Sequence, residues 1–162
     1  MNPVPQEDLD CIERQLGRTP RDVHGIAYRC PCGKPAVVET NPRLADGTPF
    51  PTFYYATCPK LTGAISTLET TGMMGEMNGR LAIDPELSGA YSAAHEDYLA
   101  ARAVLKVDVP EIEGITAGGM PDRVKCLHSL VAHSLSAGPD VNPLGDEALA
   151  ALPQWWKNEP CE

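Results

Sequence analysis

The sequence predicts an α+β fold, in which a small antiparallel sheet of about three strands in the N-terminal half packs with several helices. Two observations carry this prediction. Short segments rich in β-branched and aromatic residues end before residue 59, and the apolar residues after that point recur at helical spacing. The C-terminal half should therefore be dominated by helices. A chain of 162 residues is long enough for one core, and we expect a single domain over residues 1–162.

A short helix and a β-hairpin are predicted at the start of the chain. Residues 6–17 carry apolar side chains at helical spacing, and Gly17 is a typical helix stop. Residues 25–30 and 35–40 have the composition of strands, and the turn sequence "PCGK" joins them. The two strands are expected to pair as an antiparallel hairpin.

A third strand and an interrupted helix follow the hairpin. Residues 52–58 are rich in aromatic residues and threonine, which favour strands. Residues 60–81 carry two apolar stripes at helical spacing, and Gly72 lies between them. We expect the helix to break or kink at this glycine.

Three further helices are predicted in the C-terminal half. Residues 84–105 form the clearest one, with Asp84 as N-cap and Pro85 at the first helical position. Residues 122–138 form another helix, which ends at a glycine. A short final helix is expected within residues 146–156.

Composition and charge exclude several classes of protein. The formal net charge of −9 argues against a nucleic-acid partner, because such binding relies on clustered basic residues. No apolar stretch is long enough to cross a membrane, and the first residues do not have the pattern of a signal peptide. We therefore expect a cytoplasmic protein, in which the six cysteines serve as thiols or metal ligands rather than disulfides.

Three cysteines lie at or near the ends of the predicted strands. Cys30 and Cys32 flank a single proline, so the pair resembles a zinc-ribbon knuckle with one residue missing. Such a pair fits a metal site, a redox pair or a hairpin turn that holds two thiols. Cys30 and Cys58 are each followed by proline, as at some iron–sulfur ligands, although both also fit small buried apolar residues at strand ends.

Cys126 lies in a segment that is predicted to be helical. In a regular helix His128 would lie about 200° around the axis from Cys126, and His133 would lie about 10 Å further along it. One ion therefore cannot bind Cys126 together with either histidine. We predict that Cys126 is a metal ligand, and that His128 and His133 line an adjoining ligand-binding pocket or pack in the core.

Cys30, Cys58 and Cys126 are together predicted to form a metal site. Three thiolates could hold a [4Fe–4S] cluster with one iron left open. With Cys32 or a histidine as fourth ligand, they could instead hold zinc. The spacing matches no standard zinc finger, so the cofactor remains open between an iron–sulfur cluster and zinc.

The longest predicted helix carries a mixed polar and aromatic stripe. At about 100° per residue, six residues fall within about 60° of one another: Asp84, Leu87, Tyr91, His95, Tyr98 and Arg102. If the stripe is a pocket wall, His95 is a catalytic acid or base and Arg102 binds a carboxylate or phosphate. The alternative is a buried stripe whose polar tips bond neighbouring backbone.

The segment "GITAGGMPDRVK" offers a place for an anionic ligand. Glycine-rich loops that open a helix can bind anions through backbone N–H groups, and Arg123 and Lys125 lie beside this loop. An enzyme built here would act on a small anionic molecule where Cys126 and the loop approach His95 and Arg102. The alternative is a simple connector.

A metal-free interaction module is the alternative function. Trp155 and Trp156 are adjacent, so a helix could not turn both towards one core, and one of them could anchor a protein partner. In that case the cysteines are structural. A contrasting possibility is that both indoles wedge into a groove at the end of the domain.

Four blocks of the sequence resemble the bacterial domain-of-unknown-function family 501, whose members are small proteins common in actinobacteria. The blocks read "RCPCGKPAVVET", "GTPFPTFYYATCP", "RVKCLHSLVAHSL" and "NPLGDEAL", and the resemblance covers roughly residues 12–156. The family pattern implies that Arg-Cys-Pro, Thr-Cys-Pro and Lys-Cys-Leu-His mark Cys30, Cys58 and Cys126, and it leaves Cys32 out. It implies no activity.

Overall fold

The computed structural model of the protein describes residues 3–20, 22–158 and 161. Three strands, β1 (Val23–Arg29), β2 (Pro35–Thr40) and β3 (Tyr54–Ala56), form an antiparallel sheet in the order β1-β2-β3. The sheet is joined by helices both before and after it, so the α+β prediction is confirmed.

Helices account for most of the ordered chain after β3. Within the described residues the α-helices are α1 (Gln6–Leu16), α2 (Pro59–Glu69), α3 (Met73–Ile83), α4 (Pro85–Ala103), α5 (Leu127–Ala137) and α6 (Pro143–Ala150). A 3₁₀ turn at Pro110–Ile112 lies in the long connection between α4 and α5. None of the described helices combines the length and the apolar character needed to cross a bilayer.

Side-chain caps followed by proline start three of the helices. Asp84 Oδ1 accepts first-turn N–H groups of α4 at 3.1 Å, and Asn142 Oδ1 accepts the N–H of Gly145 in α6 at 2.9 Å. At α2 the cap is a thiol, because Cys58 Sγ accepts the N–H of Leu61 at 3.5 Å. Each cap satisfies donors that the first helical turn leaves unpaired, and proline at the next position loses no bond there.

Two predicted helix boundaries need correction. The helix predicted over 122–138 begins only at Leu127, because the preceding residues fold into a closed turn in which the Gly118 carbonyl accepts the N–H of Lys125 at 2.8 Å. The last helix covers Pro143–Ala150 rather than 146–156. It starts earlier because of the Asn142 cap, and Pro153 is incompatible with continuing it.

Helix α4 packs against the sheet through Tyr98. This ring is fully buried, and its hydroxyl accepts the N–H of Phe53 at 2.6 Å and that of Tyr54 at 3.1 Å. The two N–H groups belong to the segment that enters β3, and both residues are buried. The hydroxyl therefore fixes the position of β3 relative to α4.

Replacing Tyr98 with phenylalanine should lower the free energy of unfolding by about 2–3 kcal/mol, because it leaves two buried N–H groups without their acceptor. Urea unfolding of the purified variant measures this loss. As a control, Tyr55→Phe changes a half-buried ring in β3 and should lower the free energy of unfolding by less than about 1 kcal/mol. Equal losses in the two variants would contradict the role of the Tyr98 hydroxyl.

Candidate functional site

Three thiols converge at one end of the sheet, and we call Cys30, Cys32 and Cys161 the thiol cluster. Their sulfur atoms all lie within 4.8 Å of one another. The Sγ atoms of Cys30 and Cys161 are 3.2 Å apart. Cys30 and Cys161 are buried and Cys32 is half-buried, so the cluster lies just beneath the surface.

A tight turn after β1 brings Cys30 and Cys32 together. The Cys30 carbonyl accepts the N–H of Gly33 at 2.8 Å, and the Cys30 N–H donates to the carbonyl of Lys34 at 2.9 Å. Gly33 has a φ of 93°, a conformation that side chains other than glycine rarely adopt. The sequence "CPCGK" therefore folds as the predicted hairpin turn, and the turn holds both thiols.

Gln15 of α1 fixes the backbone around the cluster. Its Nε2 donates to the Cys161 carbonyl at 2.5 Å and to the Pro35 carbonyl at 2.8 Å. Its Oε1 accepts the hydroxyl of Thr57 at 2.8 Å. One amide thus joins the segment that carries Cys161 to the first residue of β2 and to the residue before Cys58.

Cys58 lies beside the thiol cluster. Its side chain is fully buried, and its proximity adds to burial in raising the pKa of Cys161. It is not one of the three thiols that all lie within 4.8 Å of one another. The cluster and Cys58 together present four sulfur atoms, which come from the turn after β1, the start of α2 and the segment at residue 161.

The thiols of the cluster differ in how easily they ionise. Burial raises the pKa of Cys30. The pKa of Cys161 is raised mainly by burial and also by the neighbouring thiols. Burial also opposes ionisation of Cys32, but the backbone N–H groups of Lys34 and Cys161 donate to its sulfur and bring its pKa below the ordinary value. Several thiolates can therefore coexist here only beside a cation.

A second group of side chains lies at the start of α5, and we call Cys126, His128 and Glu69 the Cys126 site. Their potential ligand atoms also lie within 4.8 Å of one another. Glu69 Oε2 is 3.2 Å from His128 Nδ1 and accepts the N–H of Leu127 at 2.8 Å. Ser66 Oγ lies 3.3 Å from His128 Nε2, so both ring nitrogens have partners on α2.

The predicted metal ligands Cys30, Cys58 and Cys126 are not one of the groups of ligand atoms that lie within 4.8 Å of one another among the described residues. Cys126 is the N-cap of α5, with φ −155° and ψ 126°, and therefore precedes the helix instead of lying inside it. The expected 200° separation from His128 does not apply to an extended residue, and the sulfur of Cys126 lies within 4.8 Å of a ring nitrogen of His128. Cys126 thus belongs with His128 and Glu69, whereas Cys30 belongs with Cys32 and Cys161.

The charges in the Cys126 site support each other. Burial would raise the pKa of Cys126, but the interactions of its thiol with His128 and Ser129 outweigh it, so the thiol ionises below its ordinary pKa. The neighbouring Cys126 thiol, opposed by burial and reinforced by the Glu69 carboxylate, raises the pKa of His128 to about 9. The thiolate of Cys126 and the imidazolium of His128 therefore stabilise each other.

A cavity of about 200 Å³ opens beside this pair. Its wall consists of Thr52, Tyr54, Tyr55 and Ala56 from β3 and the segment before it, and of Cys126, His128 and Ser129 from the start of α5. The His128 side chain is 30% exposed and that of Glu69 is 22% exposed, so solvent reaches the site. The arrangement provides a nucleophile, a proton donor and a space for a small molecule.

His95 and Arg102 do not border this cavity. Arg102 is buried, and its guanidinium donates to the carbonyls of Pro51, Ile112 and Ile115 at 2.7–3.1 Å. The Nδ1 atom of buried His95 is 2.9 Å from the hydroxyl of Thr116. These contacts favour the alternative interpretation of the stripe, in which polar tips bond neighbouring groups, over catalytic roles for the two residues.

His133 is a core histidine. Its side chain is fully buried, its Nε2 is 2.9 Å from Asp97 Oδ2, and its Nδ1 is 3.2 Å from Asn142 Nδ2. The ring also lies against Tyr54 and Tyr98, with centroids 5.9 and 5.2 Å away. Burial lowers its pKa. The predicted role in ligand binding therefore fits His128 better than His133.

The glycine-rich loop before α5 closes on itself. A Cβ at Gly119 would lie 2.6 Å from the Arg123 carbonyl oxygen, so glycine is needed there for close packing. The side chains of Arg123 and Lys125 are exposed, and they precede α5 instead of forming its first turn. Binding of an anionic molecule by these two residues stays a prediction.

The two tryptophans pack on each other near the end of the chain. Their ring centroids are 4.6 Å apart at an interplanar angle of 86°, and both rings are half-buried against the core. The helix that was expected to carry them ends before them, at Ala150. This packing favours a shared groove over one indole that projects freely, and a partner for either residue stays a prediction.

Sequence reasoning missed Glu69 and Cys161. Glu69 is the last residue of α2 and joins the site only because α2 ends beside the start of α5. Cys161 is far from the other cysteines in sequence and follows no recognisable spacing. The only signal in the sequence was that Cys161 is a further cysteine, and this did not indicate that it lies beside Cys30 and Cys32.

Comparison with known proteins identifies a family but gives no activity. The family model "Protein of unknown function (DUF501)" matches residues 26–150. No curated protein and no solved structure matches the chain. The matched residues span well over half of the sequence, so the chain belongs to the DUF501 family, in agreement with the resemblance of its sequence blocks. Cys30, Cys32, Cys58 and Cys126 lie inside the matched range, and Cys161 lies outside it.

Proposed function

We propose that this member of the DUF501 family binds one zinc ion through Cys30, Cys32, Cys58 and Cys161. The observation that carries the proposal is that three thiols, two from the turn after β1 and one from residue 161, lie within 4.8 Å of one another. Tetrahedral zinc with Zn–S bonds of about 2.3 Å separates its sulfur ligands by about 3.8 Å. The spacing of the thiol cluster therefore suits a single ion.

Cys58 supplies the fourth ligand in this proposal. Structural zinc sites are closed by four protein ligands, and Cys58 is the buried thiol whose proximity adds to burial in raising the pKa of Cys161. In the proposal its sulfur moves to join the other three around one ion. With four thiolates and no open position, the ion would stabilise the fold and would not activate a water molecule.

Backbone N–H groups support such a site. Four thiolates around Zn²⁺ carry excess negative charge, which hydrogen bonds to the sulfurs can offset. Leu61 donates its backbone N–H to Cys58 Sγ at 3.5 Å, and the backbone N–H groups of Lys34 and Cys161 help to lower the pKa of Cys32. These groups belong to the segments that present the thiols.

The geometry favours zinc over the other interpretations of the cysteines. An iron–sulfur cluster distributes its thiolates over several irons, so it needs them further apart than a single ion does. A disulfide would require an S–S distance near 2.05 Å, whereas Cys30 and Cys161 are 3.2 Å apart. A metal-free module with structural cysteines would not need three thiols within 4.8 Å of one another.

Metal analysis of protein purified without oxygen tests the proposal. We expect a colourless protein with one zinc per chain, and loss of that zinc in Cys58→Ser. Cys11→Ser replaces a buried cysteine outside the thiol cluster and should retain the metal. A brown protein that contains iron, or a wild-type protein without metal and with its thiols free, would contradict the proposal.

A further inference from the structure

We propose that Cys126 is a nucleophile that, paired with His128, attacks the carbonyl carbon of a small acyl ester or thioester in the adjoining cavity. This activity is separate from the zinc site, because none of the four proposed zinc ligands belongs to the Cys126 site. The two proposals can therefore fail independently.

The position of Cys126 suits an activated thiol. As the N-cap of α5 it lies at the positive end of the helix dipole, and the Ser129 hydroxyl donates to its sulfur at 3.9 Å. Its sulfur also lies within 4.8 Å of a ring nitrogen of His128. Cationic groups and helix N-termini are the surroundings that turn a cysteine into a thiolate nucleophile.

Glu69 acts as a positioning residue for this pair. Its Oε2 atom accepts the N–H of Leu127 at 2.8 Å and lies 3.2 Å from His128 Nδ1. The same carboxylate oxygen therefore holds the first turn of α5 and the imidazole ring. A base oriented by a third group beside a nucleophile is the arrangement of hydrolytic triads.

The cavity limits the substrate to a small and uncharged reacting group. Its volume of about 200 Å³ is below the usual range for ligand pockets, which begins near 300 Å³. Thr52, Tyr54, Tyr55 and Ala56 form the wall opposite the thiol and carry no charge. An acyl group of a few heavy atoms fits this space, with the leaving group directed to solvent.

The proposed reaction has two steps. The Cys126 thiolate forms a C–S bond to the carbonyl carbon, the bond to the leaving group breaks with its electron pair, and the leaving group takes the proton of the His128 imidazolium. Neutral His128 then removes a proton from water, the resulting hydroxide forms a C–O bond, and the C–S bond breaks. The products are a carboxylic acid and an alcohol or thiol, and the thiolate–imidazolium pair is restored.

Titratable groups around the thiol come from four elements: Glu69 of α2, Tyr54 and Tyr55 of β3, Tyr91 of α4 and His128 of α5. Burial raises the pKa of Tyr54 to about 12 and raises that of Tyr91 as well, so both phenols stay neutral at working pH. The pH dependence of thiol reactivity should therefore follow Cys126 and its imidazolium partner.

Two reactive probes test the proposal on the full-length protein. p-Nitrophenyl acetate should place one acetyl group on Cys126, identified by peptide mass spectrometry, and Cys126→Ser should remove it. Iodoacetamide should alkylate Cys126 with a pH midpoint below that of an ordinary thiol. In His128→Gln the midpoint should rise by about one unit, which slows alkylation at pH 7 about tenfold. Hydrolysis of the acetyl group should slow by about 10²-fold or more.

Controls separate this chemistry from general effects on folding. His24→Gln changes a half-buried histidine in β1 and should leave both reactions unchanged. Glu69→Gln keeps the acceptor for the N–H of Leu127 and removes the carboxylate that orients His128, so it should slow hydrolysis of the acetyl group even if His128→Gln fails to fold. Acetylation at other cysteines only, or unchanged hydrolysis of the acetyl group in both variants, would overturn the proposal.

Metal content decides between a nucleophile and a ligand. Cys126→Ser should keep the same zinc content as the wild type, because the thiol cluster remains intact. If the wild type holds a second metal ion that Cys126→Ser loses, then Cys126, His128 and Glu69 are ligands and the nucleophile is excluded. Loss of zinc from the thiol cluster with acetylation of Cys126 retained would instead contradict the zinc proposal alone.

Discussion

Replacing Cys161 with serine is expected to lower the free energy of unfolding by about 5 kcal/mol or more. The substitution removes one of four proposed ligands, and structural zinc contributes its binding free energy directly to folding. It also leaves the buried Cys30, whose pKa burial raises, without the cation that would stabilise its thiolate. Urea unfolding at constant zinc concentration measures the loss.

The matched control is Cys11→Ser, since Cys11 is 3% exposed and Cys161 is fully buried. Replacing a buried thiol outside the thiol cluster with a serine hydroxyl costs only about 1–3 kcal/mol. A chelator should therefore destabilise the wild type and Cys11→Ser, and it should leave Cys161→Ser unchanged. Equal losses in the two variants, with no response to the chelator, would show that the four thiols merely pack together.

Local signals in the sequence were sufficient for most of the fold. The turn "PCGK" between two β-rich segments identified β1 and β2, and Asp84 followed by proline identified the start of α4. Each of these signals acts within a few residues, because a cap or a tight turn satisfies nearby backbone groups. Such features are readable without knowledge of the tertiary structure.

The start of α5 shows where helical periodicity misleads. Apolar residues continue at helical spacing upstream of Leu127, yet the chain there closes a turn on Gly118 and Gly119. A shift of the first helical residue from 122 to 127 takes Cys126 out of the helix. That shift makes the contact between Cys126 and His128 possible, although ideal helical geometry had excluded it.

Long-range contacts explain the remaining differences. Cys161 meets Cys30 because Gln15 of α1 bonds the carbonyl of Cys161, and no pattern along the chain encodes that contact. Arg102 was predicted to bind an anion, but the connection after α4 folds back and presents backbone carbonyls to it. Both outcomes depend on how separate segments pack, which a single sequence does not reveal.

The proposed zinc ligand Cys58 and two contacts of the Cys126 site lie on helix α2. Cys58 caps the first turn of α2, and Ser66 and Glu69, further along it, contact His128. An ion bound at Cys58 would therefore hold the start of the helix that orients the imidazole. The contacts of Ser66 and Glu69 with His128 involve none of the proposed zinc ligands, so we expect the reactivity of Cys126 to persist when zinc is lost.

Replacing Gly145 with alanine is expected to destabilise the protein by about 3 kcal/mol or more, because it forces α5 and α6 apart. A Cβ at Gly145 would lie 2.3 Å from the Leu130 carbonyl oxygen and 2.3 Å from Ser134 Oγ, both in α5. The Leu130 carbonyl oxygen cannot move alone, so the two helices must separate and lose packing.

Gly89→Ala is the matched control, since an added Cβ in this exposed part of α4 meets nothing within 4 Å. That variant should gain about 0.5–1 kcal/mol, as alanine favours helix over glycine. Urea unfolding of both variants measures the two changes, and a Gly145→Ala protein as stable as the wild type would contradict the close contact between α5 and α6.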